Sequence, residues 1–256
     1  MKKLNHLLGG VALGVAVALM PTASKATIIG SSHDFSPGGE AGVYSTTGIA
    51  NFKWGGETNT YNNPCQVCHI PHKAAPFSAA KAPLWNHAVA TNAATKYVTY
   101  DNAGSAHFDA LGLGSLALGS SIACLSCHDG SIAVNQNYGK STFNGNGGVA
   151  TNVPSFAIET YNPATGKFDS GGTDLTRMHP IGVSYSAAAT ADPSLIATPA
   201  IGSGSVLAQM LKGPSQTVEC ASCHDIHQTI GASATVSHSL IVDLEGGQLC
   251  LTCHNK

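Results

Sequence analysis

The arrangement of eight cysteines constrains this chain more than any other feature. They form four Cys-x-x-Cys pairs, each followed at once by a histidine. The groups are Cys65/Cys68/His69, Cys124/Cys127/His128, Cys220/Cys223/His224 and Cys250/Cys253/His254, with no cysteine left over. This is the attachment signature of c-type haem. Two thiols at this spacing on a short helical turn reach the two vinyl groups of one porphyrin, and the adjacent imidazole falls beneath the iron. Other readings of paired cysteines fit less well. A disulfide framework explains an even count but not the spacing. Zinc ribbons use Cys-x-x-Cys without requiring a histidine after each pair, and a thioredoxin-like site needs one pair rather than four. The expectation is four covalent haems c, with His69, His128, His224 and His254 as proximal iron ligands.

Apart from His6 near the N-terminus and the four proximal histidines, seven remain: His33, His72, His87, His107, His179, His227 and His238. Four bis-histidine haems need four distal ligands, so the supply suffices. Beyond residue 26 the only methionines are Met178 and Met210, too few for a set of His/Met haems. Bis-histidine ligation lacks the potential-raising axial thioether, so low midpoint potentials are expected. The candidate distal ligands are His33, His72, His87, His179, His227 and His238. His72 and His227 each lie three residues beyond a proximal histidine. At that offset two imidazoles point in related directions but cannot bind the same iron. Each therefore either reaches a neighbouring haem or stays a polar surface residue. His33 and His179 sit in loop-like contexts, and Pro180 restricts the backbone around His179. His87 follows Pro83-Leu84-Trp85-Asn86, and His238 lies between Ser237 and Ser239. His107 falls in an Ala/Leu-rich stretch where a structural role is enough.

The N-terminus has the form of a secretory signal, read as residues 1–26. Lys2 and Lys3 supply a basic start, Leu7 to Met20 an apolar run of 14 residues, and Ser24-Lys25-Ala26 a small-x-small cleavage site. The run is shorter than the roughly 20 residues that a bilayer core requires, and no later stretch is apolar enough to span a membrane. The expected product is exported, extracellular or at the cell surface, with the periplasm as the alternative. Without Lys2, Lys3 and Lys25 the 12 basic residues become 9, against 14 acidic ones, a net charge of −5. Haem propionates make the holoprotein more acidic still. Nucleic acid is a poor partner for such a chain, because binding it depends on Lys and Arg neutralising phosphates.

Charged residues make up only 10% and aromatics 6% of the chain, and large core-forming side chains are scarce. A porphyrin is a good substitute for the missing apolar bulk. Turn signals are frequent, among them Pro37-Gly38, Asn144-Gly145 and Gly171-Gly172. Short helices are expected at the attachment motifs, and another from Ser205 to Leu211 with Ser205 as N-cap and Gly213 at the stop. Residues 138–175 read as an extended loop or a small hairpin. The motifs begin at 65, 124, 220 and 250, too unevenly for a simple repeat array. Residues 27–256 are taken as one tetrahaem domain.

Several phrases join the four motifs: Ser31-Ser32-His33-Asp34-Phe35-Ser36, the run ending Pro71-His72, and Pro83-Leu84-Trp85-Asn86-His87. Cys127-His128-Asp129-Gly130, His179-Pro180-Ile181-Gly182 and Cys223-His224-Asp225-Ile226-His227 add to them. With these the chain resembles the multihaem cytochromes of metal-reducing bacteria, over nearly the whole of residues 31–254. The resemblance implies mostly irregular coil with short α-helices around stacked haems and little β. At this size the chain is similar to the extracellular tetrahaem cytochromes that polymerise into conductive filaments, in which a distal histidine can come from the next subunit. Expected partners are redox proteins, a second copy of the chain, and a terminal acceptor such as an extracellular metal oxide. The competing reading is a multihaem reductase of a small oxyanion such as nitrite. That needs an open iron position and nearby acid/base groups. All four motifs here are regular, and spare histidines make an open site unnecessary, so an electron-transfer protein rather than an enzyme is expected.

Overall fold

The structure is a computed structural model that describes residues 28, 33, 65, 68–72, 74, 82–87, 89, 96–101, 106–113, 116, 118–130, 158–162, 164–170, 172–197, 205–227 and 239–255. The expected signal segment, residues 1–26, lies outside them. The described elements, in chain order, are α1 (Ala106–Ala110), α2 (Ser121–His128), β1 (Glu159–Asn162), β2 (Lys167–Ser170), β3 (Val183–Ser184), α3 (Tyr185–Ala191), α4 (Val206–Met210), β4 (Thr217–Val218), α5 (Cys220–Cys223) and α6 (Gln248–Leu251). Three-residue 3-10 turns cover Leu175–Arg177 and Glu245–Gly247. The longest helix has eight residues. Isolated helices shorter than about 12 residues are marginal in water, so these depend on what they pack against. Among the described residues no helix is long and apolar enough to cross a membrane.

Local chemistry accounts for the elements. In α4, Ser205 Oγ accepts from Ala208 N at 3.2 Å, while Leu207 and Met210 turn inward. The helix stops before Gly213, whose φ of +65° suits a residue without Cβ. The expected hairpin appears as β1 paired antiparallel with β2, from Glu159 opposite Ser170 to Asn162 opposite Lys167. Its turn closes with Gly166 N on Asn162 O at 2.8 Å, and Ala164 N donates to Asn162 Oδ1 at 3.0 Å. A second small ladder pairs β3 with β4, Val183 opposite Val218 and Ser184 opposite Thr217. It holds the chain entering α5 against the start of α3.

Apolar burial is split among small groups. Ile122 and Leu125 of α2 pack with Tyr97, Leu118, Leu175 and Ile181, and Met178 and Cys220 lie against them. Phe108, Val183 and Ala188 form a second group. Tyr185, Leu207 and Leu211 form a third that touches Cys253. Complete burial of one such side chain contributes about 1.5–3 kcal/mol. Two of these three groups among the described residues thus abut an attachment motif.

Candidate functional site

Each attachment motif is built on one turn of chain that brings its histidine back over its first cysteine. At the first motif Cys68 N and His69 N both donate to Cys65 O, at 3.2 and 2.8 Å. The second motif occupies the C-terminal half of α2. In the third, His224 N donates to Cys220 O at 3.1 Å, and in the fourth His254 N donates to Cys250 O at 2.9 Å. Helices are therefore described at three motifs and a hydrogen-bonded turn at the first. This winding places two thiols and an imidazole on one side of a short segment.

A second device recurs at three motifs. The backbone of the proximal histidine is clamped in an isolated antiparallel bridge to a distant segment: His69 to Trp85, His224 to Leu240, and His254 to Leu195. The bonds follow one pattern. Ile70 N donates to Leu84 O and Asn86 N to Cys68 O, both at 2.8 Å. Asp225 N donates to Ser239 O at 2.8 Å and Ile241 N to Cys223 O at 2.9 Å. Asn255 N donates to Ser194 O at 2.7 Å and Ile196 N to Cys253 O at 2.9 Å. At the second motif Ile158 N donates to His128 O at 2.8 Å. Of the residues opposite the histidines, Trp85 entered the sequence reading only as part of a phrase, and Leu195 and Leu240 were not singled out. One signal was present: Ser-Leu-Ile occurs at both 194–196 and 239–241.

Three proximal imidazoles have another histidine ring facing them. His33 stands 6.0 Å from His128 between centroids, with the planes at 58°. His227 stands 6.2 Å from His69, at 26°. His179 stands 6.4 Å from His254, at 76°. Metal–imidazole bonds near 2 Å put two rings on opposite sides of one metal about 6 Å apart. The tautomers also suit a metal. His69 Nδ1 lies 2.7 Å from Pro83 O and His179 Nδ1 lies 2.9 Å from Pro180 O. A carbonyl can only accept, so Nδ1 carries the proton and Nε2 keeps its lone pair. Burial, then the neighbouring imidazoles of His128, His224 and His227, hold His33 down to about 4, which keeps it neutral as a ligand must be.

Burial holds several of the thiols neutral. Burial and then Cys65 push Cys68 up to about 11. Burial and then Cys68 push Cys127 up to about 12, although a hydrogen bond with Ser126 opposes the rise. Burial, then Cys223 and Cys250, push Cys253 up to about 11. The neighbouring thiols of Cys124 and Cys220 act on each other, which raises the first above its ordinary value and lowers the second. The first motif therefore neighbours the second, the second the third, and the third the fourth. Thiols beside a back-wound imidazole, with Nε2 free on the rings whose bonds define the tautomer, are a donor set that fits haem c.

The other candidates fall elsewhere. His72 is exposed and His87 is buried. His238 lies outside the described residues, as does the side chain of His107, whose backbone is in α1. Three buried carboxylates, Asp129, Glu219 and Asp225, were not anticipated. Asp129, next to His128, holds Lys96 Nζ at 2.7 Å and accepts from Tyr97 Oη at 2.7 Å. Glu219, next to Cys220, lies between α2 and α5 and is 1% exposed. The adjacency of each acid to its motif is visible in the sequence, but its burial is not.

Compared with known proteins, residues 213–256 match the family model described as the doubled CXXCH motif. The match takes in Cys220–His224 and Cys250–His254, and points to a multihaem c-type cytochrome with covalently bound haem. No curated protein matches the chain.

Proposed function

We propose that this chain is an electron-transfer protein carrying four covalent haems c with bis-histidine ligation. The observation that carries the reading is the facing of His33 with His128, His227 with His69 and His179 with His254, at 6.0–6.4 Å. Cys65 and Cys68, Cys124 and Cys127, Cys220 and Cys223, and Cys250 and Cys253 hold the four groups as thioethers. Haem c, when bound, supplies one-electron exchange at its iron. The chain's part would be to bring two histidines to each iron, so that water is kept away, and to fix the tautomer of those rings. Pro83 O does this for His69, and Pro180 O for His179. An iron held by two histidines has no open position, so the three facing pairs favour transfer over catalysis, because a reductase needs one.

Adjacent motifs, from first to fourth, make a route along which electrons pass between neighbouring haems. In this reading the protein is exported and works outside the cell as a subunit of a conductive homopolymer, delivering electrons to an extracellular acceptor. The low charge and the likeness to filament-forming cytochromes support that. Mass spectrometry with a pyridine haemochrome assay is expected to give four haems per chain, and fewer would sink the reading. Spectra are expected to be low-spin in both redox states and indifferent to carbon monoxide. A five-coordinate signal would instead favour a small-oxyanion reductase. Negative-stain microscopy is expected to show thin filaments, and monomers alone would limit the protein to a soluble carrier.

A further inference from the structure

The second and third attachment helices, α2 and α5, are joined by one carboxylate. Glu219 Oε1 accepts from Gly119 N at 2.9 Å and from Thr217 Oγ1 at 3.2 Å. Its Oε2 accepts from Ser121 N at 3.2 Å and from the Ser121 hydroxyl. Ser121 Oγ in turn accepts from Cys220 N at 2.9 Å. Glu219 N donates to Ser222 Oγ at 2.9 Å, and Ser222 N to Glu219 O at 2.8 Å. The carboxylate thus meets the N-terminal N–H groups of α2 while its own backbone starts α5. Glu219, Ser121 and Ser222 are all buried, at 1, 0 and 3% exposure. A buried carboxylate facing N–H and O–H donors on two elements fixes both, because shifting either strands a charge away from water. The clasp also explains Gly119, where a Cβ would collide with Glu219 Oε1. Its geometric result is that the chain at Cys220 docks on α2, with Cys220 N bonded to Ser121 and the Cys220 side chain packed against the group containing Ile122 and Leu125. Cys124 and Cys220 are attachment residues of different motifs, so this docking would govern how close the two attached porphyrins lie.

We propose that Glu219 is a positioning residue for electron transfer, setting the separation, and so the electronic coupling, of the haems attached at Cys124/Cys127 and Cys220/Cys223. This rests on the four-haem reading above. The test uses the full chain matured in a host that attaches haem c. Haem number is read by mass and haem–haem coupling by the Soret circular dichroism couplet, for Glu219→Gln, Gly119→Ala and the exposed control Glu245→Gln. The first two variants are expected to keep four low-spin haems while the couplet amplitude falls roughly twofold or more, since a supporting contact loosened by about 1 Å is enough to lose a set geometry. The control is expected to match the parent. An unchanged couplet in both variants overturns the proposal, including when the melting temperature falls, for that would mark a purely structural clasp. Should Glu219→Gln not take up haem, Gly119→Ala decides, because it displaces the carboxylate without removing it. Fewer than four haems on the parent protein would overturn the functional reading instead, and mass alone reports that.

Discussion

At the scale of single residues, a histidine three positions beyond a proximal ligand illustrates how much the fold adds. His227 shares its segment with His224, yet its ring stacks at 26° against His69, more than 150 residues away in the chain. Replacing it is expected to convert one haem from low to high spin in His227→Ala, seen in the electron paramagnetic resonance spectrum. His33→Ala is expected to do the same at the second motif, and an unchanged spectrum would remove the residue concerned from the ligand set. Asp129 belongs to this scale too. Its carboxylate is fully buried and holds Lys96, whose side chain is 24% exposed, and the Tyr97 hydroxyl. Asp129→Asn removes the buried charge and weakens its bonds to Lys96 and Tyr97, and is expected to cost about 1.5–3 kcal/mol, read from denaturant unfolding of the holoprotein. The tyrosines supply a pH dependence. Burial and then Asp129 hold the Tyr97 phenol well above its ordinary value, and burial and then Cys253 push Tyr185 up to about 12. A raised folded value means that the folded chain keeps protons the unfolded chain releases near pH 10. The tyrosine contribution is therefore expected to be level below about pH 10 and stability to fall between about pH 10 and 12, as thermal melts across that range will show.

Among the elements, those governed by near neighbours were readable in advance. The helix at Val206–Met210 follows from a serine cap and an apolar i, i+4 pair, and the hairpin from a turn sequence between β-branched and aromatic residues. The bridges that clamp His69, His224 and His254 were not. Their partners are apolar residues in short segments with no periodicity, and pairing across such separations leaves no local trace. Helix α2 shows the same division. Its motif is plain in the sequence, but which side of it is buried depends on Tyr97, Leu175 and Ile181 arriving from elsewhere. Leu125 is completely buried there, so Leu125→Ala is expected to cost about 2–5 kcal/mol in chemical denaturation. Val206→Ala, at a site 44% exposed, is expected to change stability by less than about 0.5 kcal/mol.

At the scale of the whole molecule, the apolar groups among the described residues are small and their helices have eight residues or fewer, which leaves little to hold those parts together without a bound group. Where a bound group supplies much of the core, its binding energy is folding energy, as with structural metals. A chain with all eight cysteines replaced by alanine is therefore expected to lose its cooperative melt and to be digested rapidly by protease, while the haem-loaded protein resists. A sharp melt in the haem-free chain would show that the polypeptide core is sufficient by itself.

The sequence alone determined the chemistry of attachment. Thioether formation needs two thiols and an imidazole within one turn of chain, and five consecutive residues contain that requirement in full. It also determined the scarcity of regular structure, through the Gly- and Pro-rich turns and the shortage of large apolar side chains. Only the tertiary structure decided which histidine faces which, which segment clamps each proximal ligand, and that one buried carboxylate ties two attachment helices together. Those are contacts between residues up to about 160 positions apart. They are set by how the chain closes its loops around buried groups, and neither composition nor spacing records that.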